Sequence, residues 1–288
     1  MKKFFKKFAI YALTLVSAIT LVACQNSSKK TFTIGVVGDV ERSVWEDVEK
    51  RLEADGEDIK LEVFSDYVMP NQALADGSID MNAFQHVAYL VDYVKANKSD
   101  LVPVGYTYIS PMAAYSESLK SLDDLKDGDE VIIPNDPTNG GRALLLLEQA
   151  GVLEIDDAAG ITPSTSDIVS NPKNIKITSI DAAQIFIGIK DVAAVVANTN
   201  FAVDAGFDPY KDGIFVDTDN IAAVASQYKN VMAVKAADKD SEIVAKVVAA
   251  YQSAATEAKI KEVSAGADQK AWSEGDNIAA DFEAVLNK

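Results

Sequence analysis

The chain has 288 residues, 48% of them hydrophobic and 25% charged, a mixture that suits a globular protein and excludes a disordered or fibrous one. Its formal net charge is −17, and because residues 1–23 carry four lysines and no acid, their removal leaves −21. So acidic a chain is not a nucleic-acid partner, since phosphate backbones are gripped by a basic face.

Lys2, Lys3, Lys6 and Lys7 precede an apolar run from Phe8 to Thr20, and Leu21-Val22-Ala23-Cys24 closes it. This is the order of a secretory leader ending in a bacterial lipobox. The run is too short for a comfortable membrane span. A core cysteine would rarely sit straight after a leader, so Cys24 is expected to carry a diacylglycerol, whose two acyl chains hold where one would be marginal. It is also the only cysteine, which excludes a disulfide. Roughly 265 residues follow, enough for one large domain or two lobes.

Gln25 to Lys30 is a polar tether, and folded structure is expected from Thr31. Phe32 to Val37 is a β-rich run, and Val37 to Arg42 the loop that follows it. Val44, Val48 and Leu52 then share one stripe of a helix, with Glu46, Asp47, Glu49 and Lys50 on its other faces. A strand at Ile59 to Phe64, a helix at Asn71 to Ala75, a short strand near Ile79, a helix at Val87 to Lys95 and a strand at Leu101 to Ile109 continue the alternation. Further strands are expected at Glu130–Ile133, Ile175–Ile180, Val192–Ala197, Gly213–Val216 and Val231–Lys235, and residues from Ser241 onward read as wholly helical. Such βαβ succession implies mostly parallel sheets covered by helices on both faces. With about ten strands, two lobes are favoured over one. The chain has no internal repeat and no low-complexity tract.

Three constellations are candidates for chemistry. In Asp80–Leu90, polar and aromatic residues crowd a strand end and a helix start, where open α/β sheets collect ligands. His86, the only histidine, reads either as a satisfied structural residue or as a pocket liner beside Phe84 and Tyr89. One histidine and one lipidated cysteine leave too few ligands for zinc, and no G-x-S-x-G elbow accompanies His86. In Ile133–Leu144 the order is strand, turn, helix: Asn139 is expected to cap the helix, and Gly140 and Gly141 to open its first N–H donors to other groups. Arg142 would then stand in the first turn, against the helix dipole. Either an anion binds there, or the arginine is a tolerated surface residue or is paired with a nearby carboxylate. No phosphate loop is present. Asn198 and Asn230, at strand ends, read as a helix cap and a turn residue or as donors and acceptors for a ligand.

The run Asn82-Ala83-Phe84-Gln85-His86, with Tyr89-Leu90 after it, resembles the methionine-binding lipoproteins of the NlpA/MetQ family. So do Ile133-Pro134-Asn135-Asp136-Pro137-Thr138-Asn139 with Gly141-Arg142-Ala143-Leu144, and Asn171-Pro172-Lys173. Pro111-Met112 and Lys211-Asp212-Gly213-Ile214-Phe215 agree with the same family, and the resemblance runs from about Thr31 to the C-terminus. It implies an α/β, type II periplasmic-binding-protein fold: two Rossmann-like lobes joined by two crossovers, with the ligand cleft between them. Residues 31–112 and 223–288 would form one lobe and 113–222 the other. Hinges would lie near Ser110–Ala114 and Asp219–Gln227. The resemblance also implies a lipid-anchored protein that captures L-methionine on the outer face of the membrane and delivers it to an ABC permease driven by a cytoplasmic ATPase, with no cofactor and no catalysis. D-methionine, a methionine-containing dipeptide or another apolar amino acid are alternative ligands; a cell-surface enzyme with His86 as base is the rival from another class. Carried over by motif, Arg142 takes the ligand carboxylate, Asn198 and Asn230 its other polar α-substituents, and Tyr67, Phe84, His86 and Tyr89 its side chain.

Overall fold

The computed structural model describes residues 30–218 and 226–287; the leader, Cys24 and most of the tether lie outside them. Two five-stranded sheets organise the chain. The first is built from β1 (Phe32–Val37), β2 (Ile59–Phe64), β3 (Met81–His86), β4 (Leu101–Tyr106) and β13 (Asn230–Lys235), in the order β2-β1-β3-β13-β4. The second uses β6 (Met112–Tyr115), β7 (Glu130–Pro134), β10 (Lys176–Ile180), β11 (Ala194–Asn198) and β12 (Gly213–Val216), in the order β10-β7-β11-β6-β12. Each sheet is parallel except for its fourth strand. β13 runs antiparallel to β3 and β4, and β6 antiparallel to β11 and β12. Both odd strands are the first that the chain forms after crossing from the other sheet, so the crossovers set their direction.

In the central strands β13 and β11 the apolar runs are continuous because both faces are covered. In β13, Met232 and Val234 pack with Trp45, Val48 and Leu52 on one side, while Val231 and Ala233 pack with Leu90, Leu101 and Phe282 on the other. β11 repeats the device: Ala194 and Val196 meet Leu144 and Leu147, and Val195 and Ala197 meet Ile185 and Ile189. A period of two therefore fills two cores from one strand.

Helix Gly38–Ala54 buries Val44, Trp45, Val48 and Leu52, as its stripe requires. It begins at once after β1, so Val37 to Arg42 is not a loop. Gly38 stands at φ 79°, and Val37, the residue before the helix, supplies no side-chain cap. Asp204, from the short helix Thr199–Asp204 attached to the second sheet, instead accepts the Asp39 N–H at 3.1 Å.

Several expected bounds move. Ile79 precedes a strand that starts at Met81, because Asp80 spends its side chain and its amide on Thr33. Leu101 to Ile109 divides into β4 and a two-residue strand, β5 (Tyr108–Ile109), which pairs with β14 (Gln269–Lys270), while β8 (Glu154–Ile155) and β9 (Ile168–Ser170) form a second small pair. The C-terminal region is therefore three helices, Glu242–Tyr251, Ala254–Val263 and Ile278–Leu286, interrupted by a strand. Met112 to Ala114 is no free hinge, since β6 is paired along both edges; the first crossover is confined to the residues before it. Most of the second expected hinge, 219–225, lies outside the described residues, and Ser226–Tyr228 is a 3₁₀ turn. Among the described residues no helix is long and apolar enough to cross a membrane.

Candidate functional site

Strand ends from both sheets meet at one place. β3 stops at His86, β7 leads through Asp136 into helix Pro137–Gln149, β11 stops at Asn198, and β13 starts at Asn230, opposite His86 in the register. This is the edge at which α/β sheets expose ligand-binding groups.

The helix does not begin where the sequence suggested. Asp136 is its cap, accepting the Asn139 N–H at 2.8 Å, and Pro137 occupies the first turn. Asn139 therefore lies inside the helix and Arg142 in its second turn, beyond the reach of the dipole argument. Nor is the Gly140 N–H open to other groups, since it donates to the Asp136 carbonyl at 2.9 Å. A Cβ on Gly140 would lie 2.7 Å from the Pro134 carbonyl oxygen, and one on Gly141 2.8 Å from Thr162 Cα, so both allow backbone to approach backbone.

Arg142 is 5% exposed and paired. Its Nε donates to Asp217 Oδ2 at 2.8 Å, its Nη2 lies 2.6 Å from the same oxygen, and Nη2 also donates to the Ser110 carbonyl at 3.0 Å. The Tyr228 ring covers the guanidinium at 4.5 Å. Among the described residues no acceptor is placed on Nη1. Of the open readings, pairing with a carboxylate is the one observed, and the Nη1 edge is left for a second acceptor.

A polar chain runs from His86. Its Nδ1 accepts the Tyr89 N–H at 3.1 Å, which places the proton on Nε2, 3.2 Å from Asn139 Oδ1. Burial and then the Arg142 charge push the imidazole down to about 3, so it is neutral. Asn139 Oδ1 also accepts from Asn198 Nδ2 at 2.8 Å, while its own amide donates to both oxygens of Asp136. Asn198 precedes helix Thr199–Asp204 but makes no side-chain cap bond. Its Oδ1 is buried without a partner among the described residues, and so is Asn200 Nδ2. An unmatched acceptor and an unmatched donor in one region are what a bound polar molecule would satisfy.

The aromatic residues form the other wall. Tyr67 lies 5.8 Å from Phe84, 6.1 Å from Tyr89 and 4.8 Å from Phe201, and its hydroxyl donates to Asn200 Oδ1. Tyr89 donates its hydroxyl to the Tyr67 carbonyl at 3.0 Å. Burial raises the hydroxyl pKa of both Tyr67 and Tyr89, so both are neutral donors. Phe84 and Phe201 are buried with Val37 and Ala182, so this wall draws on both sheets. His86 and Tyr228, 5.4 Å apart, link it to Arg142.

All seven residues read from the sequence thus sit at this junction. Asn230 is buried and registered against His86, though among the described residues no side-chain hydrogen bond ties it to the others. Sequence reading missed Asp217, Ser110, Asn200, Tyr228 and Phe201, and gave Asn139 only a capping role.

The NlpA lipoprotein family model matches residues 32–272. The chain belongs to the NlpA lipoprotein family. Among its relatives is the D-methionine-binding lipoprotein MetQ of Escherichia coli strain K12, 41% identical over 274 residues, which are 93% of this chain and 98% of that one. The crystal structure of a nutrient-binding protein from Burkholderia cenocepacia bound to methionine is 41% identical, with a TM-score of 0.80 over 84% of this chain and 100% of that one. The substrate-binding protein of a methionine transporter from Streptococcus pneumoniae is 34% identical, with a TM-score of 0.78 over 84% and 96% of the two chains. The family's fold, two α/β lobes about a cleft, is the fold of this chain, and these relatives are binding proteins rather than enzymes.

Proposed function

We propose that this lipoprotein captures L-methionine at the junction of the two sheets and hands it to an ABC permease, whose cytoplasmic ATPase drives uptake. The carrying observation is a buried guanidinium whose Nη1 meets no acceptor among the described residues, beside an acceptor and a donor that are likewise unmatched among them, backed by a wall of rings. Arg142 Nη1 takes the carboxylate, Asn198 and Asn230 take the remaining polar α-substituents, and Tyr67, Phe84, His86 and Tyr89 surround the thioether. Aromatic edges favour a polarizable sulfur, and a buried zwitterion needs both charges matched. Residues 31–112 and 223–288 form one lobe and 113–222 the other, and the protein is held extracytoplasmically by a diacylglycerol on Cys24. The relatives named above support methionine as the ligand and a transporter as the partner; the Escherichia coli relative is named for the D form, which is compared with the L form below. Against catalysis by His86 stands its geometry: both ring nitrogens are already bonded and the ring is held neutral.

L-methionine is expected to raise the melting temperature of the mature protein, since a ligand at 100 times its Kd stabilises by about 2.7 kcal/mol. Arg142→Ala is expected to weaken binding by about 100-fold or more in titration calorimetry. D-methionine, Gly-Met and leucine, run beside it, distinguish the alternative ligands. Absence of any shift with L-methionine, while another solute gives one, overturns the assignment.

A further inference from the structure

We propose that Asp217 is the charge-selecting residue of this site: by neutralising Arg142 from within the protein, it makes the cleft take a zwitterion and turn away simple carboxylates. The inference rests on the reading of the cleft as an amino-acid site.

A lone buried guanidinium would favour any small anion. Arg142 is not alone. Asp217 Oδ2 holds both Nε and Nη2, so the donor edge best suited to a two-point carboxylate grip is filled by the protein's own carboxylate. Asp217 is also fixed in place. Its Oδ1 accepts the Met112 N–H at 2.9 Å, and its own N–H donates to the Met112 carbonyl at 3.0 Å. Three contacts on the carboxylate, and the backbone bond to β6 beneath it, keep it from swinging aside for a guest. Among the described residues the neighbouring groups add no positive charge: His86 Nδ1 accepts the Tyr89 N–H, and Asn139 leads from its Nε2 to a second, half-buried acid, Asp136.

A guest bearing only a carboxylate therefore meets a guanidinium whose charge is already balanced, and finds a single edge, Nη1. A zwitterion brings its own cation, for which the unmatched Asn198 Oδ1 is an acceptor. Asp217 touches the guest only through Arg142 and is a positioning residue. Its signature is a change in the ratio of two affinities, which loss of packing would not produce.

The test is titration calorimetry on the mature chain and Asp217→Asn with L-methionine, its desamino acid 4-(methylsulfanyl)butanoate and methionine amide. The wild type is expected to bind the desamino acid at least ~100-fold more weakly than methionine, and Asp217→Asn to shrink that gap by ~10-fold or more. Equal losses for both ligands in the variant overturn the proposal. Should the variant not fold, the wild type still decides: the desamino acid is expected to bind no better than the amide, and a preference for the acid above ~10-fold overturns charge balance. If the wild type takes a different amino acid, the same comparison is made with that amino acid, its desamino acid and its amide. Methionine can thus fail as the ligand while charge selection stands, whereas a wild type that binds no amino acid refutes both.

Discussion

Glu41 is 2% exposed, and replacing it with glutamine tests whether a buried acid works against the fold as pH rises. Its Oε1 accepts the Tyr108 hydroxyl, and its Oε2 has no partner among the described residues. It borders a cavity of about 10 Å³ lined also by Val44, Tyr251, Ile260 and Asp268. Burial raises Glu41 from 4.5 to about 8, helped by the charges of Asp268 and Asp204, and raises Asp268 from 3.8 to about 7. Both acids bind their proton more tightly in the folded state. The stability they contribute is complete below the unfolded values and is lost as pH rises through about 7 and 8. Each unit of displacement is worth about 1.4 kcal/mol, so Glu41 alone would remove ~5 kcal/mol across its range, shared with Asp268 because the two titrate together. Glutamine keeps the shape and the acceptor for Tyr108 but cannot ionise. Urea unfolding, followed by the fluorescence of buried Trp45, is expected to find Glu41→Gln close to wild type at pH 5 and roughly 3 kcal/mol more stable at pH 8. Parallel stability curves for the two proteins from pH 5 to pH 8 would refute the reasoning.

Gly141→Ala pushes a Cβ to within 2.8 Å of Thr162 Cα. The strain is expected to outweigh the gain in helix propensity and lower stability by ~1–2 kcal/mol, visible as a melting point several degrees lower; an unchanged value would show that the Thr162 backbone yields. Cys24→Ala in the full chain is expected to move the protein from the membrane to the aqueous fraction after detergent phase partitioning. Retention with the membrane would mean that something other than a lipid holds it.

β13 and β11 were legible because each carries an apolar run that feeds two cores, Val231 to Val234 and Ala194 to Ala197. β6 was not, because Met112–Tyr115 is short, follows Pro111 and owes its pairing to strands 80 to 100 residues later. Arg142 and His86 stood out by residue type, but the carboxylate that pairs with the arginine is 75 residues downstream and nothing local announces it. The misplaced cap had a readable cue. Asp136 and Asn139 are both good capping residues, and Pro137, which favours the first helical position, selects Asp136. Asn200 and Phe201 were hidden for a simpler reason: a six-residue helix gives too little periodicity to tell which side faces the junction.

Helix Gly38–Ala54, which follows β1 of the first sheet, has no side-chain cap of its own and borrows Asp204 from the short helix attached to the second sheet. Parting the two lobes would strip that carboxylate from a helix end whose amides then have only solvent to turn to, a loss of about 1 kcal/mol. A helix start on one sheet thus depends on a carboxylate carried by the other, so the two halves are tied together at a point outside the cluster of rings and asparagines.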